Sequence, residues 1–149
     1  MLLNSMRRCG RLLLTGILAS VLLGLSACGG GSSGGASTAS LNGDPVHGKE
    51  LYATCMGCHK LQENSIGPMH CGLFGRTAGT VPGFDYSEAM KASGIVWDAK
   101  KLDEFLTSPI AYVVGTKMGF AGFEEAKDRA DVITYLQQAN KDPAVCPKS

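Results

Sequence analysis

Two cysteines separated by two residues, with a histidine directly behind the second, restrict this chain more than any other stretch: Cys55-Met56-Gly57-Cys58-His59. C-x-x-C-H is the attachment pattern of a c-type haem. Each thiol adds across a vinyl group of the porphyrin to make a thioether. The spacing sets both sulfurs on one side of a single helical turn, about one porphyrin edge apart. His59 follows at once, so its imidazole lies under the iron as the proximal ligand. Two other chemistries use paired cysteines. A zinc knuckle needs two more ligands at a second close spacing, and Cys71 and Cys146 stand far apart. A redox dithiol opens a helix behind a buried strand, and no β-branched run precedes Cys55.

The chain of 149 residues is long enough for one modest domain, and it divides into three segments. Residues 1–27 read as a secretory signal, with Arg7, Arg8 and Arg11 ahead of a short apolar core from Leu12 to Leu25. That core contains two glycines and falls short of the roughly 20 apolar residues that a spanning helix needs. Leu25-Ser26-Ala27-Cys28 resembles a bacterial lipobox, in which the cysteine is lipidated and becomes the new N-terminus; ordinary cleavage that leaves Cys28 free is the alternative. Residues 28–43 are almost entirely Gly, Ser, Ala and Thr after that cysteine. Such a segment buries too little apolar surface to offset its chain entropy, so it reads as a flexible tether spanning roughly 20 Å, with a disordered pro-segment as the bland alternative. Residues 44–149 are the folded domain. Loss of the signal arginines leaves eleven basic residues against thirteen acidic ones, a mature charge near −2. That balance offers no electrostatic footprint for nucleic acid.

Within the domain, Asp44-Pro45 suits an N-cap and the first helical position. Gly48, Leu51, Tyr52 and Cys55 recur at helical spacing, which predicts a first helix running into the cysteine motif. A loop follows from Lys60 to Ile66, then a long irregular stretch punctuated by glycines, with no convincing strand. Ser87 is placed to cap a short helix through Ala92. Asp98 is placed to cap another, with Leu102, Phe105 and Leu106 on one face and Ser108-Pro109 as its stop. The last helix is expected over roughly Glu124 to Gln138, with Ala126, Ala130, Ile133 and Leu136 turned inward. The fold class is therefore all-α, three to five short helices with loops. So short a domain makes no firm core from these alone; a haem supplies the large apolar body around which they close.

One methionine stands apart. Met118 sits in Gly115-Thr116-Lys117-Met118, with Gly119-Phe120-Ala121-Gly122 behind it and no periodic apolar face to include it. Core packing accounts for Met56, Met69 and Met90. A thioether is a soft, neutral ligand that favours ferrous iron.

From about Gly48 to Ala139 the chain resembles the mitochondrial-type class I cytochromes c and their small bacterial monohaem relatives. The resemblance rests on the cysteine motif, Gly67-Pro68, Gly72-Leu73-Phe74-Gly75-Arg76, Pro82-Gly83-Phe84-Asp85-Tyr86, Gly94-Ile95-Val96-Trp97, Pro109, Gly115-Thr116-Lys117-Met118, Phe120-Ala121-Gly122 and Arg129-Ala130-Asp131, in order and spacing. It implies the cytochrome c fold around one covalent haem c, with His59 and Met118 as axial ligands. It implies that the Pro68 carbonyl holds the proximal imidazole N–H, that Arg76, Tyr86, Trp97 and Thr116 bond the haem propionates, and that Phe120 covers the exposed haem edge. Gly48 and Tyr52 are expected against Val132 and Tyr135. Three departures stand out. Phe105 and Met90 replace the polar Tyr and Asn that the family commonly has, and Ile110 and Ala111 replace lysines of the mitochondrial docking surface, where Lys117 remains. His47 and His70 read as exposed or locally bonded, with His70 and Lys117 as rival sixth ligands.

The function implied is a one-electron carrier, not an enzyme, in a bacterial respiratory or photosynthetic chain. It would be lipid-anchored to a membrane on the periplasmic side and would exchange electrons with reductase and terminal oxidase or reductase complexes. A haem peroxidase-like or nitrite-reducing domain, or a gas-binding sensor, needs an open iron position, which Met118 opposes. Cysteine counting completes the expectations: with Cys9 lost in the signal, Cys28 lipidated and Cys55 and Cys58 on haem, Cys71 and Cys146 remain to pair in an oxidising compartment.

Overall fold

The computed structural model describes residues 42–148. The signal segment, the lipidation candidate Cys28 and the tether as far as residue 41 lie outside the described residues.

Helix α1 covers Pro45–Tyr52. The Asp44 carboxylate accepts from the Val46 and His47 N–H groups at 2.8 and 3.4 Å, and Pro45 fills the first turn, where a missing N–H costs nothing. The helix stops at Tyr52, short of the cysteine motif, which forms its own 3-10 turn over Cys55–Gly57. In that turn the Cys55 carbonyl accepts from both Cys58 and His59, at 3.0 and 2.8 Å. Helix α2 is Glu88–Ala92, with Ser87 Oγ accepting from Met90 N–H at 3.2 Å. Helix α3 is Ala99–Thr107, with Asp98 accepting from Lys101 N–H at 2.7 Å and Leu102, Phe105 and Leu106 buried on one face. Pro109 stops α3 and also starts a one-turn helix, α4, Pro109–Tyr112. Helix α5 runs over Ala126–Lys141, beginning two residues later and ending three later than its pattern predicts. Ala126 is consequently exposed, Ala130 is half-buried, and Val132 and Ala139 join Ile133 and Leu136 inside. Among the described residues the only β pairing is an isolated bridge between Thr77 and Val96, and no helix is long and apolar enough to cross a membrane.

The frame is the crossing of α1 and α5. Gly48 lies so close to α5 that any Cβ there would run into the Asp131 carbonyl, which is why a glycine stands mid-helix despite its cost in helix propensity. One turn on, the Tyr52 and Tyr135 rings meet at 5.2 Å. Asp131, almost wholly buried, accepts from Asp44 N–H at 2.7 Å and pairs with His47 Nδ1 at 2.7 Å and with Lys127. Gly43, at the end of the expected tether, is docked too: its N–H donates to Thr134 Oγ1 at 3.1 Å.

Helix α3 joins this frame through Arg129, which pairs with Asp103 at 2.8 Å and donates to the Phe123 and Glu124 carbonyls at 2.8 and 2.9 Å. Those carbonyls belong to the loop that carries Met118, so one guanidinium ties that loop to both helices. The C-terminal tail folds back beneath the 60s loop, where Gln62 donates to the Val145 carbonyl at 2.6 Å. Cys71 and Cys146 sit there with sulfurs at bonding distance and Cα atoms 5.3 Å apart, inside the range a disulfide requires.

Candidate haem site

The buried side chains of α3 and α5 share one apolar cluster, and several of them also face open space. Leu102, Phe105, Leu106, Val132 and Leu136 form walls of a cleft of about 470 Å³, together with Leu73, Met90 and Trp97. Apolar side chains facing an open slot lose the contacts that make burial favourable. The slot thus has the character of a core completed by something flat and apolar.

Into this cleft the chain brings every residue of the expected site: Cys55, Cys58, His59, Pro68, Arg76, Tyr86, Trp97, Thr116, Met118 and Phe120 all line it. The 3-10 turn leaves Cys58 exposed and Cys55 half-buried. Burial, then the neighbouring Cys58, pushes the Cys55 thiol up to about 11. A redox-active dithiol needs the opposite, a lowered thiol pKa, so the electrostatics of the motif do not suit a redox dithiol.

His59 is buried, and its Nδ1 lies 2.8 Å from the Pro68 carbonyl. A carbonyl only accepts, so Nδ1 carries the proton and Nε2 is left with its lone pair available to a metal. Burial lowers the His59 pKa, and the Pro68 hydrogen bond opposes that shift. Gly67 presses on the ring so closely that any Cβ there would overlap it.

Met118 is half-buried at the far end of its loop, where its N–H donates to Thr116 Oγ1 at 3.2 Å. Lys117 next to it donates to the Asp85 carboxylate at 2.6 Å and to the Asp85 carbonyl at 3.1 Å. Arg76 is held by the Cys71 and Met69 carbonyls at 3.0 and 2.9 Å. That grip aims a permanent cation along the cleft wall, as an anionic group there requires. Trp97 packs on Phe105 at 5.1 Å, Tyr86 on Phe84 at 4.7 Å, and Phe120 on Phe123 at 5.0 Å. Two soft or nitrogen donors, two thiols at the attachment spacing, a cation and an apolar slot together fit a covalently held haem.

His70 is bonded, as one of its two sequence readings has it, and half-buried rather than exposed. Its ring stacks on His59 with centroids 4.3 Å apart and planes 24° apart, and its Nδ1 lies 2.9 Å from the Tyr52 hydroxyl. A ring stacked on His59 stands with the proximal ligand. Burial, followed by the nearby His59 and Arg76, pushes its pKa down to about 3. Sequence reasoning missed this because His70 lies in an aperiodic loop; the one available signal was a polar Tyr52 on the inward face of α1. His47, read the same way, is bonded to Asp131 on α5.

Comparison with known proteins agrees with this geometry. A family model described as cytochrome c matches residues 45–140. The cytochrome c of Euglena viridis is 49% identical over 98 residues, spanning 64% of this chain and 96% of that protein. The cytochrome c2 of Rhodomicrobium vannielii is 45% identical over 97 residues, spanning 63% and 78%. Among solved structures, cytochrome cH from Methylobacterium extorquens superposes with a TM-score of 0.63 at 38% identity, covering 64% of this chain and 99% of that one.

Proposed function

Because this chain belongs to the cytochrome c family and carries covalent haem c, we propose that it is a one-electron carrier of a bacterial respiratory or photosynthetic chain, held to a membrane on the periplasmic side by lipid on Cys28. The observation that carries the electron-transfer reading is the convergence of His59 and Met118 on one apolar cleft. The bound iron porphyrin supplies a one-electron couple. The protein's part is to keep the coordination of that couple the same in both oxidation states. His59 and Met118 would hold the iron, since both line the cleft. The Pro68 carbonyl holds the His59 proton on Nδ1 and raises the basicity of Nε2. Arg129 ties the Met118 loop to α5 through the Phe123 and Glu124 carbonyls, so that Met118 would occupy the position a substrate or gas needs.

Electrons pass at the mouth of the cleft. Of the residues lining the cleft, Thr54, Cys58, Gly119 and Ile66 are exposed, the last at 76%, and Phe120 is half-buried. These residues are uncharged, and Lys117 is already paired with Asp85. Redox proteins that dock here rely on shape and apolar contact more than on charge steering.

The decisive variant is Met118→Ala. It should retain covalent haem and bind carbon monoxide rapidly in the ferrous state, whereas the wild type resists. Equal binding by both proteins would remove Met118 from the ligand set. For the tether, Cys28→Ser should move haem-loaded protein from membranes to the soluble fraction, and wild-type Cys28 should carry acyl mass. A single acyl chain binds membranes only marginally, so stable retention calls for two or more.

A further inference from the structure

His70 is a half-buried polar ring in direct contact with the proposed iron ligand, and the electron-transfer reading above gives it no task. We propose that Tyr52 and His70 are a positioning pair for His59: the Tyr52 hydroxyl anchors the His70 ring, and that ring sets the plane of the ligand imidazole. The proposal rests on the reading of His59 as proximal ligand.

The reason lies in what a single hydrogen bond leaves free. The Pro68 carbonyl meets His59 Nδ1 at 2.8 Å, which fixes the tautomer. Hydrogen bonds tolerate a broad range of acceptor directions, so this bond alone, even with Gly67 packed against the ring, does not fix rotation about the Cβ–Cγ bond. A flat neighbour is a stiffer constraint, because rocking drives one ring edge into repulsive contact. The His70 ring is such a neighbour, at 4.3 Å and 24°. It projects from a loop, and a loop ring needs its own anchor. Tyr52 provides one from 2.9 Å away. Tyr52 is 2% exposed and packs on Tyr135 at 5.2 Å, so the anchor belongs to the α1–α5 crossing. The orientation of His59 is thereby referred, through two side chains, to the main frame of the domain. A leucine in place of His70 would fill the space equally well but would have nothing for the hydroxyl to hold.

The plane of an axial imidazole governs how unpaired spin is distributed over the porphyrin in the ferric state. The readout is therefore the spread of the four haem methyl resonances in the proton NMR spectrum of the ferric, haem-loaded protein. Tyr52→Phe removes one hydroxyl and leaves both rings; it should change the spread beyond the line width. His70→Leu should change it further in the same direction, and His70→Phe, which restores a flat ring, should return it toward the wild type. In the His70→Phe background, adding Tyr52→Phe should do nothing, since the hydroxyl acts only through the imidazole. If His70→Leu fails to take up haem, Tyr52→Phe decides alone. A Tyr52→Phe protein with a lowered melting temperature and an unmoved methyl spread would reduce the pair to core packing and overturn the proposal, as would an undiminished Tyr52→Phe effect on the spread without His70. Failure of the ligation reading itself looks different: the wild-type ferric protein would then lack the low-spin methyl pattern before any substitution is made.

Discussion

Gly67 decides how closely the chain approaches His59. Its N–H donates to the Cys58 carbonyl at 2.8 Å and its own carbonyl accepts from Ser65 at 2.9 Å, so the backbone there has little freedom to retreat. Gly67→Ala should therefore move the imidazole. We expect a loss of about 1–3 kcal/mol, the usual cost of overpacking, and a lower ratio of haem to protein in purified samples; thermal melts and absorbance measure both. An unchanged melt with full haem content would mean that the loop yields freely. Gly67-Pro68 was readable in the sequence as a turn, and the task of the Pro68 carbonyl came with the family resemblance. Tyr52 and His70 were not readable as a pair, because their contact spans eighteen positions and only a polar Tyr52 on the inward face of α1 hints at it.

Helix starts were legible as well. Asp44, Ser87 and Asp98 each accept from N–H groups two or three residues ahead, a chemistry written in adjacent residues. Helix ends and faces were less so. Pro109 reads as a stop and is equally suited to a first turn, which hid α4. At α5 the acidic Glu124 and Glu125 resemble a first helical turn, yet the Phe123 and Glu124 carbonyls are bound to Arg129 and the helix starts after them. The α1–α5 crossing has a titratable lock. Burial by itself would raise the pKa of Asp131, but the hydrogen bonds from Lys127, His47 and Asp44 N–H outweigh it and bring the group to about 2. An unfolded aspartate titrates near ~3.9. The carboxylate thus contributes its full stabilisation above roughly pH 4, and that contribution is lost as pH falls toward 2. Asp131→Asn should cost about 1–3 kcal/mol at neutral pH and show a flatter decline in acid; denaturant melts between neutral pH and about pH 2 test this. A variant deficit that persists undiminished at the acid limit would contradict it.

At the scale of the whole molecule, the fold is a frame that closes on its cofactor. The all-α class was legible in the helical spacing and the cofactor in the attachment motif, whereas most of the lining of the cleft came only with the family resemblance. The closure of the tail was legible only as cysteine arithmetic, and the structure adds the distance. A Cys71–Cys146 bridge spans 75 positions, for which loop-closure entropy gives at most about 4–5 kcal/mol. Alkylation with and without reductant, followed by peptide mapping, should find both thiols protected until reduction, and Cys146→Ser should melt earlier with haem intact; two free thiols in oxidised protein would exclude the bridge. The central claim is His59/Met118 ligation of a covalent haem, and its most direct measurement is the long-wavelength absorption of the ferric wild-type protein at neutral pH. The account predicts a sulfur-to-iron charge-transfer band there, absent from Met118→Ala. A haem-loaded wild-type protein without that band, or a variant that keeps it, would contradict the account.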